Sequence, residues 1–62
     1  MTETTTHTTV RAVMSGYNYS VFFGCQRDEN GVHPSTADRI VGGWAPSKAA
    51  ASEEIDRTLR EA

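Results

Sequence analysis

Residues 17–25 alternate between two sets of side chains, and no other feature constrains the fold of this chain as much. The odd positions carry Tyr, Tyr, Val, Phe and Cys, whereas the even positions are polar or small except for Phe22. Because successive side chains of a β-strand point to opposite faces, this pattern predicts a strand with one buried face. Aromatic and β-branched residues also fit the pleated surface of a sheet. We therefore expect the fold to be built around this strand.

The length of the chain, 62 residues, leaves room for one small domain. A chain of this size buries only about 60% of its unfolded surface, so its core is expected to be marginal. Disulfides or zinc often stabilise such domains, but Cys25 is the single cysteine and no cysteine and histidine cluster is present. We expect no metal ion and no other cofactor. Association with another protein, or with a second copy of the chain, is the remaining source of stability.

The charges are few and evenly mixed, with a formal net charge of -2 and no basic stripe. Lysine and arginine supply most non-specific affinity for nucleic acid, so this balance argues against a general DNA or RNA binder. No apolar run reaches the roughly 20 residues that span a bilayer, and residues 1–9 do not resemble a secretory signal. We expect a cytoplasmic protein with no membrane partner and with Cys25 as a free thiol.

Residues 1–6 form a threonine-rich leader, and residues 7–62 form the single predicted domain. Termini of this composition are usually solvated tails, which is the interpretation we take first. Two alternatives stay open, because threonine favours extended structure. Either residues 3–9 prolong the first strand at a sheet edge, or the leader lies on a partner.

The first strand is predicted at residues 7–14, joined to the central strand by a two-residue loop at Ser15-Gly16. With this loop, Met14 lies opposite Tyr17, and the pairing continues along the two strands to Ala12 with Tyr19, Val10 with Val21 and Thr8 with Phe23. Apolar pairs then share one face of the hairpin and mostly polar pairs share the other. A slip of one residue would destroy this sorting, so the sequence specifies the register.

Asn30-Gly31 predicts a second tight turn, because both residues tolerate the left-handed conformation. Pro34 cannot donate a hydrogen bond within a sheet, so the returning strand is either an edge strand or is broken there. We expect a third strand to resume at residues 39–44, where β-branched residues are concentrated. A short helix beginning at Ser35 is the competing interpretation of this segment.

Ser47 is a good helix N-cap, and a helix is predicted from Lys48 to about Glu61. Its apolar stripe consists of Ala51, Ile55, Leu59 and Ala62. Two ion pairs with a spacing of four residues are expected on its solvated side, Glu53 with Arg57 and Asp56 with Arg60.

These elements predict a small α+β domain, namely a three-stranded antiparallel β-meander followed by one C-terminal α-helix packed on one face (βββα). The predicted core comprises Val10, Ala12, Met14, Tyr19, Val21, Phe23, Ile40, Trp44, Ala51, Ile55 and Leu59. The element order, with Ser47-Lys48-Ala49-Ala50 at the helix start, resembles arm-binding domains of tyrosine integrases and the C-terminal part of double-stranded RNA-binding domains. Those families are basic at the corresponding surface, whereas Lys48 stands alone here, so no function is carried over.

Phe22 lies on the polar parity of the central strand, so it is expected to point outward beside Arg11 and Val13. An exposed aromatic side chain next to an arginine is typical of interface centres. The predicted protein-binding residues are Arg11, Val13, Asn18, Ser20 and Phe22. The leading hypothesis is a small non-catalytic protein-binding module that uses the outer sheet face. Inhibitors, accessory proteins and assembly factors are of this kind, and phages and mobile elements often encode them.

Two alternative functions stay open, a self-assembling structural subunit and a sequence-specific nucleic-acid-binding βββα domain. The nucleic-acid readers would be Arg11, Asn18, Gln26 and Arg39. We expect no enzyme activity, because no nucleophile motif is present and one core layer leaves little room for a substrate pocket. We also expect no metal site, because the predicted register places Cys25 on the core face and His7 on the opposite face.

Overall fold

The computed structural model describes residues 3–61, which form a four-stranded antiparallel sheet and one C-terminal helix packed against it. The elements are β1 (Glu3–Val13), β2 (Gly16–Asp28), β3 (Gly31–His33), a 3-10 turn (Pro34–Thr36), β4 (Arg39–Ala45) and α1 (Lys48–Glu61). The predicted α+β class, with a meander followed by a helix, is confirmed. The predicted third strand is divided into β3 and β4, which the 3-10 turn at Pro34 separates.

The central strand of the sheet is β2, the stretch that dominates the sequence. It pairs with β1 along one side and, along the other, with β4 through residues 17–23 and with β3 through residues 26–28. Residues 3–6, which we predicted to belong to a solvated leader, form the beginning of β1. This part of the chain follows the alternative in which residues 3–9 prolong the first strand. Residues 1–2 of the predicted leader lie outside the described residues, as does Ala62 of the predicted helix stripe.

The register of the first hairpin differs from the prediction by two residues. The loop is formed by Met14 and Ser15, and Val13 pairs with Gly16. The second hairpin is displaced in the same way, since Asp28 pairs with Gly31. Because the shift is an even number of residues, every side chain of the first hairpin between His7 and Phe22 stays on its predicted face.

The position of the two turn glycines explains this shift. Gly16 has a φ of 154° and Gly31 a φ of 113°, and both follow the loop instead of lying inside it. Among residues 3–61, no residue other than glycine has a positive φ, so neither loop has the two left-handed residues of a type I′ turn. Each chain reversal therefore uses two ordinary residues followed by a glycine.

A β-bulge interrupts the pairing of β1 with β2 near Gly24. His7 pairs with Phe22, but Thr5 pairs with Cys25, so β2 contains one extra residue at this point. Gly24 has a φ of 72°, which is the left-handed conformation that such bulges often require. The bulge interrupts the strict alternation of β2, so the predicted separation of Cys25 and His7 onto opposite faces does not hold.

The segment between β3 and β4 is held to β2 by two hydrogen bonds. The hydroxyl of Thr36 accepts from the backbone N–H of Gln26 at 2.7 Å. The backbone N–H of Asp38 donates to the carbonyl of Phe23 at 2.8 Å. The predicted strand at residues 39–44 is confirmed as β4, and only the three residues of the 3-10 turn are helical in the competing segment.

The helix α1 begins as predicted, because the Ser47 hydroxyl accepts from the backbone N–H of Ala50 at 3.1 Å. The predicted ion pairs differ: Arg57 pairs with Glu54 instead of Glu53, and the Arg60 side chain donates to the backbone carbonyl of Asp56. These contacts are on the surface and contribute little to the free energy of folding.

The core lies between α1 and one face of the sheet, and its buried members are Val21, Ala45, Ala51 and Ile55; Cys25, beyond the bulge, is buried as well. Part of the predicted core is wrong. Met14 is fully exposed in the first loop, and Val10 and Leu59 lie at the exposed margin of the core. The more consequential error concerns Ile40 and Trp44, which are 61% and 51% exposed.

Candidate functional site: the open face of the sheet

The two faces of the sheet are distinguished by the pairing register. Val21 pairs with Thr8 and Val41, and Ala45 pairs with Tyr17, so these residues share the face that α1 covers. We call the other side the open face; α1 does not cover it. Three rows of side chains cross it from β1 through β2 to β4: His7, Phe22 and Ile40; Thr9, Ser20 and Gly42; and Arg11, Asn18 and Trp44.

The first row is apolar and aromatic. The rings of His7 and Phe22 have centroids 5.8 Å apart and are inclined by 49°, a tilted arrangement that aromatic pairs favour. Ile40 pairs with Phe22 from the other side, so three large side chains lie next to one another across the sheet. Phe22 is half-buried by these neighbours, and Ile40 is mostly exposed.

The third row contains the one tryptophan of the chain, Trp44. Its indole ring lies over Gly16: a Cβ atom on Gly16 would lie 2.9 Å from Cζ2 and 3.0 Å from Cε2 of the indole. The indole ring therefore packs against the Gly16 backbone, with no side chain between them. About half of Trp44 nevertheless stays exposed, since its relative exposure is 51%.

The middle row has small side chains and separates the two larger rows. Thr9, Ser20 and Gly42 form the floor of a shallow trough that runs across the strands. The first and third rows are four residues apart along each strand, which corresponds to about 13 Å. The open face thus has two apolar ridges, one formed by Phe22 and Ile40 and the other by Trp44, on either side of a small polar floor.

All five residues predicted to bind protein lie on this face. Arg11 pairs with Asn18, Ser20 pairs with Thr9, and Val13 pairs with Gly16 at the end nearest the first loop. The residues of the alternative nucleic-acid set are divided between the two faces. Arg11 and Asn18 are on the open face, whereas Arg39 pairs with Phe23, and its guanidinium lies 5.0 Å from the centre of that ring. Gln26, which pairs with Thr4, is on the Arg39 side as well.

Sequence reasoning missed Ile40 and Trp44 as members of the open face. In β4 the even positions include Ile40 and Trp44 and the odd positions include Val41 and Ala45, so alternation alone could not show which set faces the helix. One signal was present in the sequence. Only Pro46 and Ser47 separate Ala45 from the start of α1, and a small residue at position 45 allows the helix to approach the sheet closely.

The other polar groups do not form a reactive cluster. Cys25 is fully buried, and its Sγ donates to the carbonyl of Phe22 at 3.4 Å. In the part of the chain that the structure describes, no three His, Cys, Asp or Glu side chains are placed to hold a metal ion. A surface depression along α1 is lined by charged side chains of that helix alone, namely Glu53, Glu54, Arg57, Arg60 and Glu61.

Asp28 is the residue whose ionisation is most clearly altered. Its Oδ1 accepts hydrogen bonds from Nε2 of His33 at 3.0 Å and from the backbone N–H of Asn30 at 2.8 Å. The hydrogen bond from His33, followed by that from Asn30, lowers the pKa of the Asp28 carboxyl. This cluster closes the second hairpin and lies at the far end of β2 from Trp44.

Comparisons with known proteins complete the description. No helix within residues 3–61 is long and apolar enough to cross a membrane. Neither the protein-family models, nor the curated proteins, nor the solved structures include a match to this chain.

Proposed function

We propose that this chain is a small non-catalytic protein-binding module that binds its partner through the open face of the sheet. The observation that carries the proposal is the placement of Phe22, Ile40 and Trp44 on the face that α1 leaves uncovered. Clusters of exposed apolar side chains with a polar surround are typical of protein interfaces. An inhibitor, an accessory subunit or an assembly factor, of phage, mobile-element or other origin, would act in this way.

The composition of the face favours a protein partner over a nucleic acid. Trp and Arg are the residues most enriched at interface hot spots, and Trp44 and Arg11 occupy one row. Arg11 is the one cation in the three rows, so little phosphate charge could be neutralised there. A specific nucleic-acid site on this face would also have to do without Arg39 and Gln26.

The shape of the face supports a more definite occupant, the apolar stripe of an amphipathic helix of the partner. The two ridges are about 13 Å apart from centre to centre, so the gap between them is narrower than a whole α-helix but admits the side chains along one helix face. A helix lying in the trough would contact Ser20 and Gly42 beneath it and the ridge side chains on both sides. The sheet would then be covered by helices on both faces, which is a common layer arrangement.

The test begins with affinity capture from lysate of the native cells, using the wild type, Phe22→Arg and Trp44→Ser. Ser52→Arg is the matched control, because it introduces the same charge on the exposed side of α1. A captured protein is then purified, and its dissociation constant is measured for each variant. We expect Trp44→Ser and Phe22→Arg to weaken binding by about tenfold or more, with Ser52→Arg close to wild type.

Three results would contradict the proposal. Equal affinity of the open-face variants and the wild type would remove this face from the interface. A steep loss of binding with salt, together with loss on Arg11→Ala, would indicate nucleic acid. A partner that binds through a segment with no helical character would contradict only the proposal that a helix lies in the trough.

A cytoplasmic location is part of the same proposal and is supported by the buried free thiol of Cys25.

A further inference from the structure

The second surface that needs a partner is the outer edge of β1. This strand has 11 residues and pairs with β2 on one side; on its other side, residues 3–61 place no strand. An open strand edge exposes backbone N–H and C=O groups that can pair with another strand. Natural edges are usually protected by proline or by lysine, and β1 contains neither. Its charged residues are Glu3 and Arg11 alone.

The sequence of β1 is nearly symmetric about His7. Thr5-Thr6 precede this histidine and Thr8-Thr9 follow it. Glu3 stands four residues before His7, and Arg11 stands four residues after it. If two copies of β1 run antiparallel with their His7 residues opposite each other, each residue of one strand therefore lies opposite a compatible residue of the other. The opposed pairs would be Glu3 with Arg11, Thr4 with Val10, Thr5 with Thr9, Thr6 with Thr8, and His7 with His7.

We propose that two copies of the chain associate through antiparallel pairing of their β1 strands, with the two-fold axis at His7. In this register the opposite charges of Glu3 and Arg11 meet twice, once on each side of the axis. Threonine pairs and opposite-charge pairs are both favourable when they lie directly opposite each other in an antiparallel sheet. The interface is isologous, as expected for a closed dimer.

Neighbouring registers lack this complementarity. A two-fold dimer keeps each side chain on its own face, so the register can change only in steps of two residues. One such step places Arg11 opposite Thr5 of the second copy, and the opposite step places Glu3 opposite Thr9. In both cases the charges lose their partners, so charge selects the register centred on His7.

The dimer would have one continuous sheet of eight strands, with both helices on one side and both open faces on the other. The proposal does not depend on what the open face binds. The β1 edge and the open face share Arg11, but Glu3→Arg addresses the edge and Trp44→Ser addresses the open face separately.

The experiment uses two charge variants of the full chain, Glu3→Arg and Arg11→Glu. Each places like charges opposite each other in its own homodimer, so we expect dimerisation of either variant alone to weaken by about tenfold. Mixing the two variants restores opposite charges at both ends of the paired strands. Native mass spectrometry and sedimentation equilibrium at low salt should therefore show a heterodimer in the mixture and mostly monomers in the separate samples.

Two controls keep the result interpretable. Circular dichroism confirms that each variant remains folded, which matters because Glu3 also pairs with Arg27 of its own chain. Trp44→Ser should dimerise like the wild type, because Trp44 lies on β4. A wild type that stays monomeric, or a mixture that forms no heterodimer, would overturn the proposal. Dimerisation that is lost in Trp44→Ser but kept in both charge variants would assign the dimer to the open face instead.

Discussion

The indole ring of Trp44 lies directly on the backbone of Gly16, at a distance that leaves no room for a side chain. A Cβ atom at position 16 would lie 2.9 Å from the indole and 2.5 Å from the carbonyl oxygen of Ala45. The exposed tryptophan of the open face is therefore positioned by a glycine of the neighbouring strand. Position 16 controls both the end of the first hairpin and the orientation of this ring.

Gly16→Ala should therefore displace Trp44 and destabilise the domain. Gly16 has a φ of 154°, a region that alanine seldom adopts, and the new methyl group would collide with the indole. We expect a loss of roughly 1–3 kcal/mol, with an altered tryptophan fluorescence spectrum of the folded state. Urea unfolding followed by fluorescence measures both effects. An unchanged spectrum together with unchanged stability would show that the ring does not rest on Gly16.

Two isoleucines provide a matched comparison of the open face and the core. Ile55 is 8% exposed on the buried side of α1, whereas Ile40 is 61% exposed on the open face. Ile55→Ala should cost about 2–5 kcal/mol of folding free energy, as is typical of a buried site. Ile40→Ala should cost less than about 1 kcal/mol, because little of its surface is buried. Urea unfolding of both variants decides the matter, and equal losses would mean that β4 presents the opposite face to α1.

The face of β4 that lies against the helix could not be predicted from the sequence. The size of the side chains favoured Ile40 and Trp44 as core, but the structure buries the smaller Ala45 on the helix side. Gly43 shows why a larger residue does not fit on this side: a Cβ atom there would lie 2.6 Å from the hydroxyl oxygen of Tyr19. At the end of β4 nearest the helix, Gly43 and Ala45 are small because the Tyr19 ring and α1 both lie close to them. Apart from the small residue at position 45, this information lies in the tertiary packing.

The parts that local chemistry controls were predictable. The alternation of residues 17–25 identified the central strand, and Ser47 marked the start of α1. The faces of the first hairpin survived an error of two residues in register because strand periodicity is two. The predicted protein-binding residues on β1 and β2 could consequently be placed on one face from the sequence. The ridge residues on β4 could not, because the sequence does not state which parity meets the helix.

The bulge at Gly24 leads to a prediction about backbone conformation. Gly24 and Gly31 both have positive φ, 72° and 113°, but only Gly24 is crowded, by the side chain of Asp38. Alanine at either site is strained, so Gly31→Ala should cost about 1 kcal/mol and Gly24→Ala roughly 2–3 kcal/mol. The difference should shrink in an Asp38→Ala background. Chemical denaturation of the two glycine variants, each with and without Asp38→Ala, tests this order. A larger loss of stability in Gly31→Ala than in Gly24→Ala would contradict it.

The N-cap of α1 can be tested by a pair of serine substitutions. Ser47→Ala removes the acceptor for the Ala50 N–H and should cost about 1 kcal/mol, whereas Ser47→Asp should retain most of the stability. Ser52→Ala is the control, because Ser52 is exposed inside the helix and alanine has the higher helix propensity there. Thermal unfolding followed by circular dichroism gives the comparison. If Ser47→Ala and Ser52→Ala had the same effect, the cap would contribute nothing.

The second hairpin should lose stability in acid because of Asp28. Its carboxylate accepts from His33 and Asn30, which lowers its pKa in the folded state below the ordinary value of 3.8. A carboxyl whose pKa is lower in the folded chain stabilises the fold at pH values above 3.8. This contribution is lost as the pH falls through the folded-state pKa, because the carboxyl is then protonated in both states.

Asp28→Asn isolates this contribution, since asparagine keeps an oxygen that can accept from the Asn30 N–H but carries no charge. The variant should be less stable than the wild type well above pH 3.8, and the difference should vanish well below the folded-state pKa. Thermal unfolding across this range measures the difference, and NMR titration of the Asp28 carboxyl locates its pKa directly. His33→Ala should move that pKa upward, because the hydrogen bond from His33 is the largest cause of its lowering. A stability difference that is the same in acid and at neutral pH would instead assign the effect to the shape of the turn and not to the charge of Asp28.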